Sequence, residues 1–181
     1  MGASVRSGQI LCIVGARPNF MKIAPIMRAF AQSDSALSAR LLHTGQHYDA
    51  AMKHAFFEQL HIPEPDVDLE VGSGTHAQQT ADIMKRFEPV LDEVPPLAVL
   101  VVGDINSTIA CALVAVKKNI PVIHVEAGLR SGDRTMPEEI NRILTDQLSD
   151  LLFITEASAL ANLTREGIAA DKVHFVGNVM I

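Results

Sequence analysis

Short apolar runs rich in β-branched residues alternate with longer stretches of helical periodicity along the whole chain, and this alternation constrains the fold more than any other feature. The runs fall at 9–14, 38–43, 97–102, 121–125, 151–154 and 172–176. Apolar residues near i, i+3 and i+4 fill 18–31, 49–60, 75–93, 107–118, 137–149 and 156–166, and Met136, Ile140, Ile143, Leu144 and Leu148 mark the clearest stripe. Strands that are apolar throughout are covered on both faces, and parallel strands need helical crossovers. The pattern therefore predicts an α/β fold, a three-layer Rossmann-like parallel sheet. After the break at Pro63 and Pro65, residues 67–71 alternate as a short edge strand does. Pro25 inside the first helical pattern predicts a kink or a separate first turn.

A length of 181 residues has room for one domain, and 48% hydrophobic composition supplies its core. The balance of 15 basic against 21 acidic side chains, a net charge of −6, gives no general attraction to nucleic acid or to an anionic membrane. An anionic substrate must then be held by local cations. Cys12 and Cys111 sit inside apolar runs and read as small hydrophobes rather than a disulfide. No apolar stretch approaches the roughly 20 residues of a membrane span, and the polar start has no signal-peptide core, so a cytoplasmic location is expected. Residues 1–8 read as a disordered tail and 9–181 as one Rossmann-like domain. The apolar end at Ile181, directly after the last predicted strand, reads as an interrupted polypeptide.

In such folds ligands bind at the carboxyl ends of strands where the strand order reverses. The first strand runs into Gly15-Ala16-Arg17-Pro18-Asn19, with Lys22 in the first turns of the following helix, which reads equally as a helix start that receives a phosphate and as a tight βα turn with two solvated cations. Neither G-x-G-x-x-G nor a P-loop is present, so nicotinamide and P-loop chemistry lose support. The second strand ends in His43-Thr44-Gly45-Gln46-His47, where Gln46 and His47 read either as ligand-reading side chains or as a helix entry capped by Asp49. Asp104 and Glu126 leave the third and fourth main strands at one sheet edge, Asp104 ahead of a helix that Asn106 or Ser107 can cap, and read as a functional carboxylate pair. Thr135-x-x-Glu138 matches a capping box. Glu138, Asn141 and Arg142 also share one helix face, so they read equally as a carboxylate, an amide and a guanidinium turned into a cleft. The seven histidines show no metal-ligand spacing, and mid-strand His124 reads as a hydrogen-bonded core residue.

Taken together, Gly15-Ala16-Arg17-Pro18, Thr44-Gly45-Gln46-His47, Gly103-Asp104, His124-Val125-Glu126-Ala127-Gly128-Leu129-Arg130 and Pro137-Glu138-Glu139-Ile140-Asn141-Arg142 resemble the non-hydrolysing bacterial UDP-N-acetylglucosamine 2-epimerases. The resemblance implies the N-terminal half of a two-domain glycosyltransferase-B fold, with the C-terminal UDP-binding domain outside this chain and a homodimer in the complete enzyme. It implies interconversion of UDP-N-acetylglucosamine and UDP-N-acetylmannosamine for cell-envelope polysaccharides, without redox cofactor or metal. The implied chemistry is anti elimination of UDP to a 2-acetamidoglucal, reprotonation of carbon 2 on the opposite face, and re-addition of UDP. By motif position Asp104, Glu126 and Glu138 are the carboxylates implicated in these steps, and Arg17, Lys22 and Arg142 are substrate-binding. Gln46 and His47 match a loop that in some members contributes to a second, regulatory UDP-N-acetylglucosamine site.

The segment from Glu126 to Glu138 matches the shorter Arg-Thr-Met-Pro-Glu-Glu form of its motif, and the chain lacks the half that carries most UDP contacts. The isolated chain is therefore expected to fold and to show little or no epimerase activity. Three other readings share these residues: a hydrolysing relative that releases free N-acetylmannosamine, a non-catalytic nucleotide-sugar binding module, and a glycosyltransferase of the same architecture.

Overall fold

The computed structural model describes residues 8–46, 55 and 57–180. Seven strands form one sheet: β1 (Gln9–Val14), β2 (Ser38–His43), β3 (Val67–Asp68), β4 (Ala98–Val102), β5 (Val122–Val125), β6 (Leu151–Ile154) and β7 (Val173–Phe175). Their order is β3-β2-β1-β4-β5-β6-β7, and every neighbouring pair is parallel. Between them run α1 (Arg17–Gln32), α2 (His76–Glu93), α3 (Asn106–Lys117), α4 (Pro137–Leu148) and α5 (Ser158–Arg165).

Successive strand residues point to opposite faces, so a strand covered on both sides divides its side chains between two cores. Leu11 and Ile13 of β1 join Val99 and Val101 of β4 against Ile83, Phe87 and Leu91 of α2 and the small residues of α3. Ile10, Cys12 and Val14 join Leu100 and Val102 against Phe20, Ile23, Ala24 and Met27 of α1. The expected three-layer α/β sheet is thus present. Both cysteines are buried free thiols in these two separate cores, and burial pushes Cys12 up to about 12 and Cys111 higher still.

The chain leaves β1 toward β2 on one side and returns to β4 on the other. The strand order reverses between β1 and β4, and the crevice at their carboxyl ends is where ligands bind in such folds.

Several local expectations change. The edge strand of 67–71 shrinks to Val67–Asp68 beside β2. Pro25 sits inside a single helix that runs unbroken from Arg17 to Gln32, held by its buried apolar face. Most of the helix expected at 49–60, with the Asp49 cap, lies outside the described residues, as does all but Gly8 of the expected tail. In α4 the polar side, which the sequence offered to a cleft, is the buried one. Its stripe is only partly covered, with Met136, Ile140 and Leu144 36%, 38% and 48% exposed, while its polar face, Glu139, Asn141, Thr145 and Asp146, is buried. The helix turns its hydrogen-bonding side toward the polar ends of β4 and β5 and leaves its apolar side outward.

Candidate active site

The β1–α1 turn is built by close approach. A side chain on Gly15 would run into Ser107 and Thr44, so only glycine lets the end of β1 pack against the start of α3. The Gly15 amide donates to Asn19 Oδ1 at 3.3 Å, and Asn19 Nδ2 donates to the Val102 carbonyl at 3.0 Å, which ties the two strands that flank the switch point. Arg17 is exposed at the first position of α1. One turn on, Lys22 Nζ meets both oxygens of Glu126, at 2.9 and 2.6 Å. Lys22 Nζ also stands 3.6 Å from where a Gly103 side chain would begin, so this cation overhangs the turn that carries Asp104.

Asp104 and Glu126 emerge side by side, because Val102 and Val125 are paired in register and the Gly103 amide donates to the Val125 carbonyl at 3.1 Å. Gly103 adopts φ +73° and Glu126 φ +68°. For glutamate the left-handed region costs about 1–2 kcal/mol, strain of the kind that clusters at functional sites. Asp104 Oδ2 takes two bonds from Arg142, Nε at 2.9 Å and Nη2 at 2.7 Å, and its carbonyl accepts from Asn141 Nδ2 at 2.9 Å.

Glu138 lies at the second position of α4, half-buried, and its side chain makes no hydrogen bond among the described residues. It lines a cavity of about 290 Å³ together with Asp104, Asn106, Asn141, His76 and Gln46. Glu126 and Lys22 lie outside that cavity, on the α1 side of the Gly103 turn.

The Thr135–Glu138 capping box does not form. The cap position of α4 is Met136, with no side-chain cap, because Pro137 takes the first helical position. Thr135 turns instead to Asp133, giving it both its amide (2.9 Å) and its hydroxyl (2.7 Å). Asn106 and Ser107 do not cap α3 either; the cap residue is Ile105. Asn106 Nδ2 donates to Gln79 Oε1 at 3.0 Å and lies 3.0 Å from His76 Nδ1, while its Oδ1 accepts from Asn141 at 3.3 Å. Gln46 is buried, and its Oε1 accepts from the Ser107 amide (3.0 Å) and hydroxyl (2.6 Å), so that oxygen already holds α3 in place. His47 lies outside the described residues.

Glu139 is the residue that motif spacing passed over, although its i, i+3 relation to Arg142 was there to be read. Its buried carboxylate accepts from the Ser131 amide (3.1 Å), the Gly132 amide (3.0 Å) and Arg142 Nη1 (2.9 Å). Burial alone would push this carboxyl up, but these donors outweigh it and hold it at about 2. Arg142 is therefore shared: one edge grips Glu139 and the other faces Asp104. Burial works against its charge, and the two carboxylates more than compensate, raising it. The network thus runs from the 131–132 loop through Glu139 and Arg142 to Asp104.

Among the described residues no group of three His, Cys, Asp or Glu side chains is arranged to hold a metal ion, and no helix is long and apolar enough to cross a membrane.

The family model for UDP-N-acetylglucosamine 2-epimerase matches residues 30–181. A Pseudomonas aeruginosa UDP-2,3-diacetamido-2,3-dideoxy-D-glucuronate 2-epimerase is 49% identical over 174 residues, 95% of this chain and 49% of that protein. The UDP-N-acetylglucosamine 2-epimerase of Methanocaldococcus jannaschii is 47% identical over 169 residues, 93% of this chain and 46% of its own length. The crystal structure of the Methanocaldococcus jannaschii enzyme with UDP-GlcNAc and UDP superposes with a TM-score of 0.90, covering 94% of this chain and 46% of that one. The chain spans about half the length of the curated relatives it matches. A parallel sheet with acids at its switch point, a family match over most of the chain and relatives near 50% identity agree, and the chain belongs to the UDP-N-acetylglucosamine 2-epimerase family.

Proposed function

We propose that this chain is the N-terminal half of a nucleotide-sugar 2-epimerase that interconverts UDP-N-acetylglucosamine and UDP-N-acetylmannosamine. The observation that carries the reading is the placement of Asp104 between two other acids, with Glu126 beside it at the carboxyl edge of β4 and β5 and Glu138 lining one cavity with it at the start of α4. Epimerisation through a 2-acetamidoglucal needs a proton removed from carbon 2, one delivered to its other face, and a diphosphate stabilised as it departs and returns. Asp104 and Glu126 are each held against a cation, Arg142 and Lys22, whereas Glu138 faces the cavity without a hydrogen-bond partner among the described residues. Glu138 is thus the carboxylate most open to proton exchange with a bound sugar. Arg17, at the start of α1, and Lys22 are the cations nearest the switch point for the diphosphate. Gln46 lines the same cavity and also fixes α3 through Ser107. The partner domain that completes the cleft supplies the remaining UDP contacts, and the buried thiols suit the cytoplasmic location expected from the sequence.

The test is proton NMR in heavy water. The complete protein is expected to place deuterium at carbon 2 of UDP-N-acetylglucosamine and to form the manno isomer still linked to nucleotide. The 181-residue chain alone is expected to show no exchange. Free N-acetylmannosamine with stoichiometric UDP would assign the hydrolysing reaction instead. The 49% identity to the Pseudomonas aeruginosa protein supports a second reading, the same carbon-2 chemistry on a UDP-2,3-diacetamido uronate, and a larger kcat/KM on that donor would select it.

The outward stripe of α4 fits the homodimer implied by the resemblance. Met84, Ile109, Ile140 and Leu144 line a groove of about 620 Å³ between α2, α3 and α4, and among the described residues no Lys, Arg, Asp or Glu lines it. A face that meets its own copy across a two-fold axis must avoid single-sign charge, and this one does. Leu144→Glu is expected to shift the complete protein from dimer to monomer in sedimentation velocity. An unchanged dimer would place the interface elsewhere.

A further inference from the structure

His124 lies mid-strand in β5 with no exposed surface, two residues before Glu126. Its Nδ1 is 2.6 Å from Asp146 Oδ1, and its Nε2 is 2.8 Å from the Gly103 carbonyl oxygen. A carbonyl oxygen can only accept, and so can an ionised carboxylate. Asp146 is ionised on grounds independent of the ring, because a guanidinium, Arg130, and a backbone amide, Gly128, both donate to it. Its other oxygen takes the Gly128 amide at 3.0 Å and Arg130 Nη2 at 2.8 Å. With acceptors at both ring nitrogens, hydrogen-bond accounting places an N–H on each.

A buried cation is costly unless paired and hydrogen-bonded. Here His124, Asp146, Arg130 and Glu166 alternate in sign from the sheet to the surface, the last link being Arg130 Nη2 to Glu166 Oε2 at 2.6 Å. The ring also joins the three elements that bear the carboxylates. It belongs to β5, which leads to Glu126; it bonds the exit of β4, which leads to Asp104; and it bonds Asp146 on α4, the helix of Glu138. Gly103 is held through both flanking peptides, its amide by the Val125 carbonyl and its carbonyl by the ring.

We propose that His124 is a positioning residue, a buried imidazole ring protonated on both nitrogens that fixes the Gly103 turn and so sets Asp104 relative to Glu126 and Glu138. The proposal rests on the epimerase reading for its effect on turnover but not for the state of the ring.

Both parts are tested on the complete protein. With ring-15N histidine, a long-range proton–nitrogen correlation at pH 7 is expected to show two protonated ring nitrogens for His124, assigned in the wild-type protein by correlating the ring with its own backbone resonances. One unprotonated nitrogen overturns the proposal, whether or not the enzyme turns over, and this measurement needs no stable variant. His124→Gln is expected to lower kcat by about 10²-fold, the scale of an ångström-level misplacement, with KM within about threefold. An unchanged kcat in the folded variant, or a loss that tracks only the folded fraction, overturns the positioning role. Absence of carbon-2 exchange by the wild-type enzyme overturns the epimerase reading instead, while the ring measurement still decides the state of His124.

Discussion

Glu138→Gln in the complete enzyme is expected to cut turnover by at least about 10²-fold, the lower range for loss of a general acid–base group, and to leave the fold nearly as stable as before. The structural cost is small because Glu138 closes no capping box and its side chain makes no hydrogen bond among the described residues. What it does supply to the helix is negative charge in the first turn of α4, worth less than about 1 kcal/mol. Glutamine has nearly the same shape and fills the same place in the cavity beside Asp104 and Asn141. The check is kcat from product formation, carbon-2 deuterium exchange, and the thermal midpoint on the same preparations. If turnover and stability fall together by small amounts, Glu138 is a helix-start residue and the proton passes elsewhere.

The contrast between elements that were legible in the sequence and those that were not has a physical basis. Strands β1 and β4 announced themselves because a strand buried on both faces is apolar nearly throughout, a local signal, and β5 did so despite its buried His124. The position of Asp104 and Glu126 at one edge followed from that, since parallel strands end together. The stripe of α4 marked a helix but not which face would be buried, because periodicity reports only which face is apolar, and a protein that pairs with another can leave its apolar side outward. Thr135-x-x-Glu138 had the spacing of a capping box, but Asp133 competes for Thr135 at shorter range and Pro137 sets where the helix begins. Lys22 and Glu126 are 104 residues apart, so no spacing rule reaches their pairing; their motifs pointed to the site one by one, and only the fold joins them. Glu139 was hidden by its neighbour. Adjacent glutamates point about 100° apart on a helix, so one faces the cavity while the other is buried.

Glu139→Gln is accordingly expected to give the opposite result to Glu138→Gln, a loss of about 2–4 kcal/mol in folding stability at neutral pH. Three donors converge on this carboxylate, the Ser131 and Gly132 amides and the Arg142 guanidinium. Glutamine offers one acceptor oxygen, and its amide hydrogens then face a donor that has no other partner on that side. The pH dependence separates this cause from simple repacking. Glu139 titrates at about 2 in the folded protein against an ordinary value of 4.5, so the unfolded chain takes up the proton first as the solution is acidified. The stability it contributes is therefore complete above about pH 5 and drains away as the pH falls toward 2. Glutamine has no such dependence, so the gap between wild type and variant in urea unfolding is expected to be widest near pH 7 and to narrow steadily below about pH 5. A gap that stays constant down to pH 3 would show that shape, not charge, makes Glu139 matter. Because Arg142 spans Glu139 and Asp104, the variant's turnover at pH 7 is also expected to fall, as the guanidinium loses the anchor that holds its other edge against Asp104.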